Sequence, residues 1–438
     1  MALSPRRDFP SDSEHSMPLP LQLPTLQNWS CHNCGGCCRQ HEIEITASER
    51  ERILAQNWTV ADGIPAGSPV IERMGAFPWN RRWRLAHQPD GACVFLDDKG
   101  LCRIHAKFGE PAKPLACRVY PFAFHPAGRK IAVGLRFSCP SVVANRGASM
   151  SRQQGELKEL ERLVVPESAR EFPPPRLSSK QQLDWPDTLQ IVEALDATLA
   201  TAGEPFVLKM LWSLGAVDLI DQSSFERVRG PRLTDFLSIV TQAVKSELPT
   251  LPRQTAPPGA IARQLFRMLV AQYARRDTFR SDQRGIGYRW KLLRAIWSFA
   301  AGRGELTPLQ EGFQAVPFEA LETSFGPIPA ESEEVLTRYV RVKLQSLHFC
   351  GRAYYDVPLV EGFASLGLAV VCACYLARWL ARGAGRDVWT ADDFARAVTV
   401  VDHHHGYSPA LGMGAFRQRQ RLLWKQKEVT RLLAHYAN

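Results

Sequence analysis

No apolar run of signal-peptide length opens this chain: residues 1–24 are rich in Pro and Ser and carry Arg6 and Arg7 early. That composition is read as a tail without a secretory leader. A membrane-spanning run is also missing. The most apolar stretch, Gly362–Ala377, is preceded by Glu361 and closed by Arg378. It falls short of the roughly 18 to 20 residues a spanning helix needs, and its many Gly and Ala suit close packing, so a buried helix and no transmembrane segment are expected. No repeat period appears, which excludes a solenoid. Acidic charge is in deficit: the 438 residues carry a net charge of +10, mostly as arginine. A positive surplus is a pointer toward anionic partners, not a statement about fold.

Cysteine is the residue in surplus. Eight of the eleven cysteines lie between Cys31 and Cys139, four of them in the run Cys31-His-Asn-Cys34-Gly-Gly-Cys37-Cys38. Without a leader, clustered thiols read as reduced metal ligands in a cytoplasmic protein and not as disulfides. A Cys-x-x-Cys loop lets both sulfurs face one ion while loop amides point inward, and Gly35 and Gly36 permit the positive φ of a tight reversal. Soft thiolates select zinc or iron over magnesium or calcium. Adjacent residues of an extended chain point to opposite sides, so Cys37 and Cys38 are expected to diverge: the two serve different centres, or one bridges, or one is no ligand.

The pattern along the chain predicts an α+β protein: a small, loop-rich cysteine-cluster domain followed by a mainly α-helical one. The boundaries read as a disordered tail over 1–24, a metal-binding domain over 25–148, a Pro-rich linker over 149–180 and a helical domain over 181–438. Within the first domain, Glu42–Ile45 alternates like a short strand and Thr46-Ala-Ser-Glu49 is a capping box opening a helix to about Ala55. Residues 58–89 read as irregular. Gly91–Ile104 reads as a hairpin carrying Cys93 and Cys102 around an Asp97–Gly100 turn, and Ile131–Phe137 as a strand delivering Cys139. Apolar residues at helical spacing mark 185–201, 206–221, 232–247, 259–274, 288–301, 333–348, 359–382, 391–403 and 415–436.

Five short motifs carry a resemblance. Cys31-x-x-Cys34-Gly-Gly-Cys37-Cys38, Gly91-x-Cys93-x-Phe95-Leu96, Cys102-x-Ile104-His105, Cys117-Arg118-x-Tyr120-Pro121-Phe122 and Cys139-Pro140 resemble, in this order, the zinc- or iron-chelating cysteine-cluster family (YkgJ-like, CxxCxxCC). The resemblance spans about 27–142 and implies a metal-binding domain. It makes Cys31, Cys34, Cys37, Cys38, Cys93, Cys102, Cys117 and Cys139 the metal ligands, with zinc or iron, including an iron–sulfur cluster, as the group held. Flagellin lysine-N-methylases are similar in joining such a cluster to a longer helical region, which implies a methylase as the alternative function and S-adenosylmethionine as its cofactor. Against that alternative, no glycine-rich loop after a strand positions such a cofactor, and the Cys-x-x-x-Cys-x-x-Cys spacing of radical enzymes is absent.

Other residues carry weaker signals. His105, three residues after Cys102, could ligate, and His32 and His41 could hydrogen-bond a ligand sulfur. Cys350, Cys372 and Cys374 sit in apolar helical surroundings and read as small buried hydrophobes. Asp402-His403-His404-His405 before Gly406 reads as a capped helix end, with a second site in the helical domain as the alternative. Arg275, Arg276, Arg280, Arg284, Arg289, Lys291 and Arg294, with Phe279, Tyr288 and Trp290, form the densest basic and aromatic stretch. Three functions follow in order: a metal-binding module, structural or redox, with a helical partner- or substrate-binding region; a protein-lysine methylase; and, last, a basic nucleic-acid-binding protein with structural zinc. Catalytic residues are not assigned.

Overall fold

The computed structural model describes residues 19–74, 81–248, 255–275 and 286–438. The tail expected over 1–18 and the basic residues Arg276, Arg280 and Arg284 lie outside them. The first half is a set of small sheets and short helices. Its elements are β1 (Leu21–Gln22), β2 (Asn28–Trp29), α1 (Gly36–Gln40), β3 (Glu44–Ile45), α2 (Ala47–Ala55), β4 (Ile71–Met74), β5 (Arg82–Leu85), α3 (Arg103–Phe108), α4 (Leu115–Val119), β6 (Phe122–Pro126), β7 (Ile131–Leu135), α5 (Pro140–Val143) and β8 (Ala148–Ser149). The order β3-β5-β4 makes one antiparallel sheet; β1-β7-β6 makes another, with β1 parallel to β7. Leu21 and Gln22, inside the stretch read as tail, are therefore paired.

Local chemistry explains most of these elements. The Thr46–Glu49 capping box forms as expected, with Glu49 N donating to Thr46 Oγ1 at 3.3 Å and Thr46 N to Glu49 Oε2 at 2.8 Å. Residues 58–89, read as irregular, instead supply β4 and β5, because Trp83 and Arg84 pair on both edges while Leu85 turns into the core. The expected hairpin over 91–104 is reduced to a turn closed by one bridge, Leu96 to Cys102, since helix α3 takes over at Arg103.

The second half is helical: α6 (Gln154–Val164), α7 (Trp185–Leu199), α8 (Phe206–Gln222), α9 (Pro231–Glu247), α10 (Ala260–Ala274), α11 (Ile286–Ala301), then β9 (Glu305–Leu306) and β10 (Val316–Pro317), and α12 (Ala330–Gln345), α13 (Leu359–Gly383), α14 (Ala391–His404), α15 (Pro409–Gly412), α16 (Gly414–Lys425) and α17 (Glu428–Tyr436). An α+β domain followed by a mainly helical region is thus observed. The helix expected over 415–436 is broken at Lys427, whose φ of 57° ends α16 and starts α17. Helix α6, with Leu157 and Leu160 buried, occupies the stretch read as linker.

At the centre lies α13. Its 25 residues make it longer than the sequence run suggested, and by length and composition it could cross a membrane, yet 94% of its most apolar window is buried inside the protein. The core around it is large and reaches back into the first half, taking in Phe122, Val133, Leu135, Phe137, Cys139 and Val142. A second, small core, of nine buried residues among the described ones, including Ile45, Ile53, Leu85, Phe95 and Ile104, belongs to the cysteine-rich half alone.

Candidate metal centre

The cysteine loop starts with a reversal at Gly35, whose φ of 65° is the left-handed conformation that favours glycine. Gly36 then opens α1, so Cys37 and Cys38 sit on a helix and not on an extended strand. Their Sγ atoms are 3.9 Å apart, which corrects the expectation that they diverge: the helical turn brings both to one side. Gly100, with φ of 79°, lets the Asp97–Gly100 turn press on this loop, since a Cβ there would collide with Asn33 O.

All eleven cysteines are free thiols. Of the eight expected ligands, Cys37, Cys38, Cys102 and Cys117 are half-buried, Cys93 and Cys139 buried, and Cys31 and Cys34 exposed. Two neighbourhoods emerge. Cys117, Cys102 and Cys37 bear on the Cys93 thiol, Cys102 and Cys37 bear on Cys117, and Cys38 lies against Cys37. Cys139 is influenced by Cys34, whose Sγ lies against Gly36 near the Pro140 ring. Cys31, at the loop's outer end, donates from Sγ to Asn33 Oδ1 at 3.7 Å. Cys93, Cys38, Cys102 and Cys117 border the small core, while Cys139 belongs to the large one.

Four of these thiols, Cys37, Cys93, Cys117 and Cys139, are held protonated without a cation. Hydrogen bonding with Cys38 and then burial push the Cys37 thiol far up; burial does the same for Cys93, raises Cys117 to about 12 and raises Cys139 above its ordinary value. A soft divalent ion reverses this by supplying the missing charge. The surroundings fit such an ion. Backbone amides of Cys38, Phe95 and Val142 point at Cys37, Cys93 and Cys139. The buried Trp29 Nε1 has no nitrogen or oxygen partner and faces the Cys139 sulfur. Donors of this kind stabilise a thiolate and leave a thiol indifferent. Among the described residues, no three His, Cys, Asp or Glu side chains already stand at ligand distance from one point, so an ion would draw the last sulfurs in.

The histidines behave differently. His32 and His105 are exposed, the latter on α3. His41 has its Nε2 buried without a hydrogen-bond partner; its ring lies 4.8 Å from Tyr120 and 5.1 Å from His403, joining the two halves, and burial holds its pKa well below 6.5. Cys350, Cys372 and Cys374 are buried apolar fillers, as expected.

This stretch matches a known family model. Residues 30–140 fit the CxxCxxCC family, "Putative zinc- or iron-chelating domain". Curated relatives include the lysine-N-methylases of Salmonella typhimurium and Salmonella choleraesuis, each 24% identical over 110 residues, covering 25% of this chain and 26% of the relative. The flagellar biosynthetic protein FliU of Salmonella muenchen is 24% identical over the same length, covering 25% of this chain and 63% of that protein. The match thus spans only about a quarter of the length of each methylase. No solved structure matches.

The helical half contributes what motif reading underrated. Asp402, read as part of a helix end, is fully buried and pairs with Lys343, Nζ to Oδ1, at 2.5 Å. Asp402 Oδ2 accepts the Ser138 amide at 2.8 Å, next to Cys139. His405 Nδ1 meets Tyr273 Oη at 3.0 Å and His404 Nε2 meets the Arg275 carbonyl at 2.7 Å. Lys343 had a detectable signal: it follows Leu336, Tyr339 and Val340 on the inward stripe of α12. Between the halves runs a cleft of about 1110 Å³, with Gly36, Arg39 and Pro140 on the cysteine side and Glu331, Asp392 and His403 on the helical side.

Proposed function

We propose that the protein is a metal-binding module that takes zinc or iron through two thiol sets, one of Cys37, Cys38, Cys93, Cys102 and Cys117, the other of Cys31, Cys34 and Cys139. The observation carrying this reading is the convergence of buried thiols with amide and indole donors aimed at three of the sulfurs. Thiols held protonated by burial and by each other gain most from a cation, and a reducing cytoplasm would keep them available. The ion's role is structural or redox, and the helical half meets a partner or substrate at the interdomain cleft. Clefts at such junctions, apolar with a few charged groups, are where ligands commonly bind. Anaerobic purification followed by metal and acid-labile sulfide analysis tests the reading. Zinc without sulfide identifies a structural site, and iron with sulfide and visible charge-transfer absorption identifies a cluster; metal-free protein sinks the proposal.

One observation favours a protein-lysine methylase as the second reading. The cleft borders the cysteine helix and combines apolar Val143, Ala330 and Val335 with the carboxylates Glu331 and Asp392, which could meet an ammonium group on an aliphatic stem, although Arg39, Arg146, Arg338 and Arg396 line it too. Two relatives are lysine-N-methylases, and S-adenosylmethionine would be required only here. Absence of S-adenosylmethionine binding by metal-replete protein would remove this reading. The nucleic-acid reading ranks last, as no recognised motif supports it.

A further inference from the structure

The short segment Ser138–Val143, which carries Cys139, is gripped from the helical half by buried charges. Arg338 on α12 is 3% exposed and donates from Nη1 to the Val142 carbonyl at 2.7 Å and from Nη2 to the Val143 carbonyl at 2.6 Å. The same guanidinium holds Gln27 Oε1 at 2.9 Å, and its charge is met by Glu334 at 2.8 Å. At the other end of the segment, Asp402 on α14 accepts the Ser138 amide while Lys343 on α12 holds its second oxygen. Lys343 and Asp402 are both 0% exposed. Helix packing alone does not call for such groups, because apolar side chains of the same size fill a core at lower desolvation cost. What the charges add is fixed direction: three hydrogen bonds from two helices converge on one six-residue arm.

We infer that Arg338, Lys343 and Asp402 are positioning residues of the metal centre, coupling its occupancy to the helical wall of the cleft. The inference rests on the metal-binding reading above. Helices α12 and α14 grip the Cys139 arm with these residues and line the cleft with Glu331, Val335, Asp392 and His403. A sulfur drawn onto an ion pulls the arm, and the arm is bonded to both helices. Linkage of this kind is reciprocal: what orders α12 and α14 tightens metal binding by the same factor.

The test uses the full chain, metal-loaded or stripped by a chelator with thiols kept reduced, and reads amide hydrogen exchange. Removal of metal is expected to raise exchange about tenfold in peptides from α12 and α14, which contain no cysteine. A rise confined to residues 30–140 overturns the inference. Two double variants isolate the Ser138 bond while avoiding a lone buried charge: Lys343→Met with Asp402→Leu removes the acceptor, and Lys343→Met with Asp402→Asn keeps one. Chelator competition is expected to show metal bound about tenfold more weakly by the Leu variant, with weakened cobalt–thiolate absorption, and rescue in the Asn variant. Equal affinities in folded proteins also overturn it. Wild-type protein that takes up no metal overturns the metal-binding reading, and this inference with it.

Discussion

The two halves of the molecule solve the same problem with different means. Around α13, apolar burial suffices: Phe363, Leu366, Leu368, Val371 and Trp379 are all within 1% of full burial, and neighbouring helices enclose them. In the cysteine half, the small core offers a handful of buried residues to anchor a sheet, several short helices and long loops. A core of that size supports little fixed structure alone, and metal ligation by the thiols, as proposed, would take the place of missing apolar area. The contrast teaches where sequence spends cysteine: at the border of a core too small to order its own loops.

The largest break in that contrast is expected from Cys117→Ser. Serine keeps the volume and removes the soft ligand, so the variant should lose the ion of the inner thiol set and melt the cysteine half, visible as reduced metal content and a lower Tm. Cys34→Ser, exposed and in the outer set, should spare the inner ion. Equal losses from both would merge the two sets into one centre. Acid should act in the same direction. Because burial holds Cys117 up at about 12, metal binding must expel its proton, and apparent affinity is expected to fall as pH falls. A decline of about tenfold or more per pH unit in a chelator competition would signal one or more protons displaced. A flat profile would show that these thiols do not ligate.

Much of this contrast was legible in the residues. Helical spacing located α7 to α14 through their apolar residues, which form a buried stripe on helices such as α9 and surround α13 on all sides, and Thr46–Glu49 announced α2 through its own hydrogen bonds. The cysteine motifs located the metal-binding stretch that the family model matches. Less legible was anything set by partners distant in sequence. Strands β4 and β5 need each other and β3; Ile-Glu-Arg-Met does not alternate, and Arg-Trp-Arg-Leu alternates over only four residues, too few to mark a strand by pattern. The side on which Cys37 and Cys38 face depended on whether the loop is helical there. Asp402 gave no sign of its role, since its partners Lys343 and Ser138 are 59 and 264 positions away in the sequence.

The opposite break belongs to the large core. Leu368→Ala on α13 removes a fully enclosed side chain and should cost about 2–5 kcal/mol, the range for leucine truncation with a partly collapsed cavity. Chemical denaturation would measure it, and metal content per folded molecule should stay at the wild-type value. A loss of metal equal to that of Cys117→Ser would mean that the two halves fold as one unit.

The smallest effect sharpens how α14 is held. Thr390 caps this helix, with Asp393 N donating to its Oγ1 at 3.4 Å and Thr390 N donating to Asp393 Oδ2 at 2.8 Å. Thr390→Ala should cost about 1 kcal/mol. Burial alone would raise the Asp393 carboxyl, but hydrogen bonds from Arg386 and from Thr390 outweigh it and hold the pKa below 3.8. A carboxylate so depressed stabilises the fold at pH above its unfolded value and loses that contribution as pH falls through the folded one. The gap in stability between wild type and Asp393→Asn should therefore be full at neutral pH and shrink in the range below 3.8. Should the gap persist undiminished in strong acid, packing and not charge holds the start of α14, and the helix that carries Asp402 would owe its position to the large core alone.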